Sequence, residues 1–257
     1  MMALALPACG GQTGGEIVTF TAYASGIAGV DGAMELDTGL GYHVRLTTAR
    51  MHVGAVYLRL GQANPGSANA SCVGDTTYGL QVPGSVDVDV LSSAPQPFSF
   101  PGTATTDADQ SAEVWLVDGD INVVTSGTAV VSVAGTATKD GNAYPFTGAI
   151  TIGQNRLVPP ANPAAPGTNP ICKERIVAPI PVDVHPSPAG HLLLEINPAS
   201  WLGDVAFSTL LPGADGVTLA IPDASAGTSP DIAAGRAFFM AVTSASPDAY
   251  RFSWISP

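Results

Sequence analysis

His185 and His191 bracket Pro186-Ser187-Pro188-Ala189-Gly190, a short run of turn formers, and the flanking residues 180–185 and 191–196 read as strands. Read as a hairpin, these runs set the two imidazoles facing each other across its mouth, because cross-strand neighbours stand about 5 Å apart at Cβ. That spacing lets two rings share one Zn²⁺ or Cu ion at roughly 2 Å per bond. Asp183 precedes His185 by two residues, on the same strand face, and would add a carboxylate. The other two histidines, His43 and His52, lie in alternating apolar stretches and read as ordinary strand residues.

Carboxylates supply a second candidate chemistry. Asp107, Asp109 and Glu113 in one stretch, and Asp118, Asp120 and Asn122 in another, place oxygen donors at alternate positions, as a turning loop needs to aim them at one Ca²⁺. Neither stretch is an EF-hand loop. The sixth positions are Ala112 and Val123 where glycine is required, and the twelfth are Asp118 and Ala129 where glutamate is required. Zn²⁺, Cu and Ca²⁺ are therefore the ions these sets could take, and no organic cofactor is suggested. Among aromatic residues, Trp201 follows Asn197-Pro198-Ala199-Ser200 in a stretch read as a loop, which makes it the candidate ligand platform; Trp115 and Trp254 fall in strands.

Signatures of covalent and nucleotide chemistry are missing. The chain has no G-x-S-x-G elbow, no S-x-x-K, no P-loop and no G-x-G-x-x-G following a strand. The expected class is a binding protein rather than an enzyme, with a hydrolase carrying a scattered site as the weakest reading.

The elements that must position these residues are strands. Period-two alternation runs through residues 17–23, where Val18, Phe20 and Ala22 alternate with Thr19, Thr21 and Tyr23, and through residues 42–60, with a bulge or bend expected near the middle. Residues 128–138 and 144–152 flank Asp140-Gly141, the strongest local signal for a tight hairpin, with Val131 and Val133 facing Phe146 and Ile150. Asp87 and Asp89 alternate with valines and are expected on a solvent face. Residues 237–242 and 250–254 read as a closing antiparallel pair. These runs predict an all-β, antiparallel sandwich, Ig-like or jelly-roll-like. Five prolines within residues 158–170 predict a long crossover loop; residues 17–257 read as one domain, with a split near 158–170 as the alternative.

Composition narrows the setting. With 9 basic and 21 acidic side chains the net charge is −12, which opposes binding to phosphate backbones and makes nucleic acid a poor partner. Only 12% of residues are charged, about half the usual ~25%, and no apolar run approaches the ~20 residues of a membrane-spanning helix. Leu6-Pro7-Ala8-Cys9 has the form of a lipobox, in which a small residue precedes an acylated cysteine. Residues 1–16 then read as the end of a shortened signal followed by a glycine-rich tether. Membrane lipid through Cys9 is the expected first partner. Of three cysteines, Cys72 and Cys172 remain to form one disulfide, which closes 100 positions and would contribute roughly 4 to 5 kcal/mol in the chain-entropy model.

Taken by whole segments, the chain resembles uncharacterised bacterial lipoproteins of β-sandwich type. The likeness is carried by the Leu6-Pro7-Ala8-Cys9 start, residues 42–60, Thr151-Ile152-Gly153-Gln154-Asn155-Arg156, Ile171-Cys172-Lys173 and Gly235-Arg236-Ala237-Phe238-Phe239. It implies export, anchoring and β-architecture, and brings no active site. The expectation is a non-enzymatic, lipid-anchored protein facing the periplasm or outer membrane, binding a small ligand or an envelope protein. A metal-binding protein is the alternative.

Overall fold

The computed structural model describes residues 15–29, 32–61, 78–118, 128–151, 174–223 and 228–257. It is an all-β sandwich of two packed sheets. In chain order the strands are β1 (Ile17–Ser25), β2 (Met34–Asp37), β3 (His43–Val53), β4 (Ala55–Arg59), β5 (Tyr78–Val82), β6 (Val86–Asp89), β7 (Gln96–Pro97), β8 (Gly102–Thr105) and β9 (Asp109–Trp115). There follow β10 (Ala129–Lys139), β11 (Asn142–Thr151), β12 (Ile176–Val184), β13 (His191–Ile196), β14 (Leu211–Pro212), β15 (Leu219–Ile221), helix α1 (Pro230–Val242) and β16 (Tyr250–Ile255). The first sheet runs β12-β9-β4-β5-β8-β1-β13-β16, with β7 also on β1; the second runs β14-β15-β11-β10-β3-β2, with β6 also on β3.

Alternation builds the core as expected. Val18, Phe20 and Ala22 of β1 are buried, and so are Val131, Val133, Phe146 and Ile150 of the β10–β11 hairpin, whose turn places Asp140 and Gly141 at φ 50° and 78°. Positive φ at both central residues matches the right-handed twist of the flanking strands. In the 42–60 stretch both a bulge and a bend occur. Thr47 is the extra residue where the β3–β10 register shifts, and Gly54 is the corner at which the chain leaves the second sheet for the first. Glycine is required there, because a Cβ at Gly54 would overlap the carbonyl of Val117.

Three expectations are corrected. Residues 180–196 form no hairpin: β12 pairs with β9, whereas β13 pairs parallel with β1 and antiparallel with β16. Residues 237–242 are not a strand but the end of α1, which has Pro230 in its first turn with Asp231 beside it. Both residue types suit a helix start, and a short apolar run cannot distinguish helix from strand by period alone. Gly235, which weakens a helix in isolation, lets α1 approach the carbonyl of Pro222. The helix buries Phe238, Phe239 and Val242, worth up to roughly 1.5 to 3 kcal/mol each. The third correction concerns Trp201, which is 0% exposed in a 3₁₀ turn (Pro198–Leu202) packed against α1. It is a core residue, and its indole cannot serve as a surface platform.

The first sheet nearly closes on itself. Its outermost strands β12 and β16 run alongside each other without ladder bonds, and Trp254 Nε1 of β16 donates to Ser187 Oγ beyond β12 at 3.0 Å.

Candidate functional site

Strand β9 is buried on both faces. Ala112 and Val114 enter the main core, while Asp109, Ser111, Glu113 and Trp115 point to the opposite side, together with Tyr57 and Arg59 of β4. There the Glu113 carboxylate accepts from Arg59 Nη2, from Trp115 Nε1 at 3.1 Å and from Tyr78 Oη at 3.4 Å. The Arg59 guanidinium lies 5.3 Å from the centre of the Tyr78 ring, and Tyr57 packs between Tyr78 and Trp115 at 4.8 and 4.7 Å. Burial, and next the Glu113 charge, push the Tyr78 phenol up to about 12. A carboxylate with three donors and a tyrosine held neutral form a closed network. It fixes this face of the sheet and offers no free base.

At the head of β9, pairing of Asp109 with Val184 brings together the two metal-ligand sets read from the sequence. Asp107 and Asp109 come from one set, Asp183 and His185 from the other. Asp109 is 0% exposed and neither of its oxygens has a hydrogen-bond partner. Burial raises it to about 7, the negative Asp107 adds to the rise, and His185 opposes it. The carboxylate occupies the space over Gly79 that a Cβ would fill. His185 Nε2 is turned instead to Asp183 Oδ1, at 2.9 Å and in solvent. His191, on β13, packs its ring edge-on to Tyr23 with centroids 5.4 Å apart. Among the described residues no three His, Cys, Asp or Glu side chains form a metal-holding group. Asp120 and Asn122 lie outside the described residues, as do Cys9, Cys72 and Cys172.

His43 and His52 carry carboxylates on both ring nitrogens. His43 faces Asp37 at 2.9 Å and Glu35 at 3.2 Å; His52 faces Asp87 at 2.7 Å and Asp118 at 3.2 Å. Because the two nitrogens point to opposite sides of the ring, the paired carboxylates cannot meet at one ion. The hydrogen bond to Asp37 is the main cause of a raised His43.

The arrangement best shaped for a ligand lies on the second sheet. β2 covers residues 43–46 of β3, β6 covers residues 50–53 and Val90 N donates to the Ala49 carbonyl at 2.9 Å, so residues 47 and 48 lie in a gap between two short edge strands. A cavity of about 390 Å³ opens there, lined by Thr47, Thr48, Arg50, Asp89, Ser92 and Ser93 among others. A second, of about 470 Å³, continues along β3 past His52, Asp87, Gln96 and Ser132. The two adjoin at Arg50 and Asp89, both of which line each. Arg50 stands directly across from Asp89 on one side and Ser132 on the other. It nevertheless makes no ion pair with Asp89, whose Oδ1 accepts from Leu91 N at 3.1 Å. Every other Lys or Arg among the described residues is engaged: Arg45 with Glu35, Arg59 with Glu113, Arg251 with Glu195, Lys139 with the Leu40 carbonyl, and Arg175 and Arg236 with partners of their own. Among the described residues, Arg50 thus has no partner for its five N–H donors in the groove.

Comparison with known proteins returned no matching family model, no matching curated protein and no matching solved structure.

Neither Arg50 nor the Arg59–Glu113 network stood out in the sequence. The network left a trace: Arg59 and Glu113 are charged residues inside otherwise apolar strand runs, a pattern that a strand covered on both faces tolerates only when the charges pair. For Arg50 the signal was weaker, since a lone arginine in an alternating strand reads as a solvent-face residue.

Proposed function

We propose that this chain is a non-enzymatic, lipid-anchored binding protein of the cell envelope that takes a polar ligand in the groove over β3. The unengaged Arg50 at the meeting point of the two cavities carries this reading. Cavities of this size fall in the range of small-molecule sites, and here hydroxyls and carboxylates share the walls with apolar residues such as Leu91, Met51 and Val88. The histidine chemistry supports binding over hydrolysis. His52 has Asp87 on Nδ1 as a catalytic triad would, but its Nε2 faces Asp118 rather than a nucleophilic hydroxyl. Cys9 in its lipobox setting and the glycine-rich tether support a position beside the membrane.

Two measurements test the proposal. The native gene product should partition into detergent, and Cys9→Ala should return it to the aqueous phase. Isotope-labelled protein exposed to solubilised envelope material should shift amide resonances of Thr48, Arg50, Asp89 and Ser132 as a group. An aqueous product, or shifts confined to other surfaces, overturns the corresponding half of the reading.

A further inference from the structure

Resting on the groove reading, we infer that the ligand is a carboxylated saccharide, a polyhydroxylated ring bearing one carboxylate that docks on Arg50. A planar guanidinium matches a carboxylate with two parallel N–H···O bonds, and Arg50 has no internal partner for that fork. The rest of the lining suits hydroxyl groups. Thr48, Ser92, Ser93 and Ser132 can donate or accept, and the Asp87 and Asp89 carboxylates accept from hydroxyls.

Charge excludes neighbouring ligand classes. Among the described residues the groove holds one unpaired cation and two carboxylates, Asp87 and Asp89, with Asp118 close by on His52. A phosphate dianion would find one positive partner against these negative ones, and a polyanion would meet the whole chain's charge of −12. A single carboxylate flanked by neutral hydroxyls is the anion that one arginine among aspartates can hold.

The probes are methyl β-glucuronide, methyl β-glucoside and inorganic phosphate, each titrated into the labelled protein. The two glycosides differ only in a carboxylate against a hydroxymethyl group. The glucuronide is expected to bind at least about tenfold tighter than the glucoside, as a charge-assisted bidentate contact implies, and tighter than phosphate. Shifts should centre on Thr48, Arg50, Asp89 and Ser132. In Arg50→Gln the preference should vanish; Arg50 is exposed, so its unfolding midpoint should stay at the wild-type value. Equal binding of both glycosides, or phosphate binding as tightly as the glucuronide, overturns the carboxylate assignment and leaves the groove reading standing. No response from either glycoside overturns the saccharide class, while the envelope-material experiment judges the groove separately.

Discussion

Asp109→Asn should remove from the protein's stability the Asp109 share of its pH dependence between about pH 4 and pH 8. In the fold the Asp109 carboxyl sits at about 7, raised first by burial. The unfolded chain returns it to roughly 3.9, so the shift of about 3 units corresponds to on the order of 4 kcal/mol at 1.36 kcal/mol per unit. The sign follows from proton binding. Between the two values the native state holds a proton that the unfolded state has released, so stability is complete below about pH 4, falls as pH rises through 7 and is level above. Asparagine keeps the shape, carries no charge, and leaves its own unpaired amide at every pH. The quantity to follow is the difference between variant and wild type, in which that constant amide cost cancels. Urea unfolding, read by circular dichroism at half-unit pH steps, should show this difference growing by about 4 kcal/mol in favour of the variant between pH 4 and pH 8. For a domain whose total is about 5 to 15 kcal/mol, that is large. Wild-type and variant curves running parallel across this range would refute the reasoning that leaves Asp109 buried without donors.

Breaking the buried pair by Glu113→Leu should cost about 3 to 5 kcal/mol, because Arg59 is stranded and Trp115 and Tyr78 lose their acceptor. Adding Arg59→Met should recover a substantial part in a urea-melt double-mutant cycle; strict additivity would contradict the pairing. Trp201→Ala should lower stability by about 3 to 5 kcal/mol, and in a groove titration it should leave the glucuronide affinity unchanged, since Trp201 lies in the core. Gly79→Ala should destabilise by displacing both the Asp109 carboxylate and the Leu60 side chain, so its cost should shrink in part, not vanish, in an Asp109→Ala background. Thiol titration of unfolded, unreduced protein should find Cys72 and Cys172 unreactive; labelling at either removes the disulfide.

Much of the sandwich was legible because its strands have one dry and one wet face. β1, β3 and the β10–β11 hairpin show their inward residues at every second position, and Asp140-Gly141 announces its own turn. Legibility failed where pairing is non-local. Nothing in residues 180–196 says that β12 joins β9 some seventy positions earlier while β13 lies parallel to β1. Proline-rich residues between two strands look like a hairpin loop whichever neighbours those strands choose. The helix was lost because Ala237-Phe238-Phe239-Met240-Ala241-Val242 is too short an apolar run to reveal its period. For the site, the sequence places acidic residues at alternate positions but does not say what each one meets in the fold. Their fates were set by burial: Glu113 was consumed by Arg59, Asp109 was sealed away from donors, and Asp87 stayed in solvent beside His52.

The meeting of β12 with β16 bears on how the protein behaves when molecules are crowded together. A strand with free backbone groups is a template for the next molecule. By turning its two bare margins toward each other, with the Trp254 indole latched on Ser187, the first sheet withholds that template. Loss of the latch through Ser187→Ala would then surface as slow polymerisation of crowded protein rather than as an altered ligand.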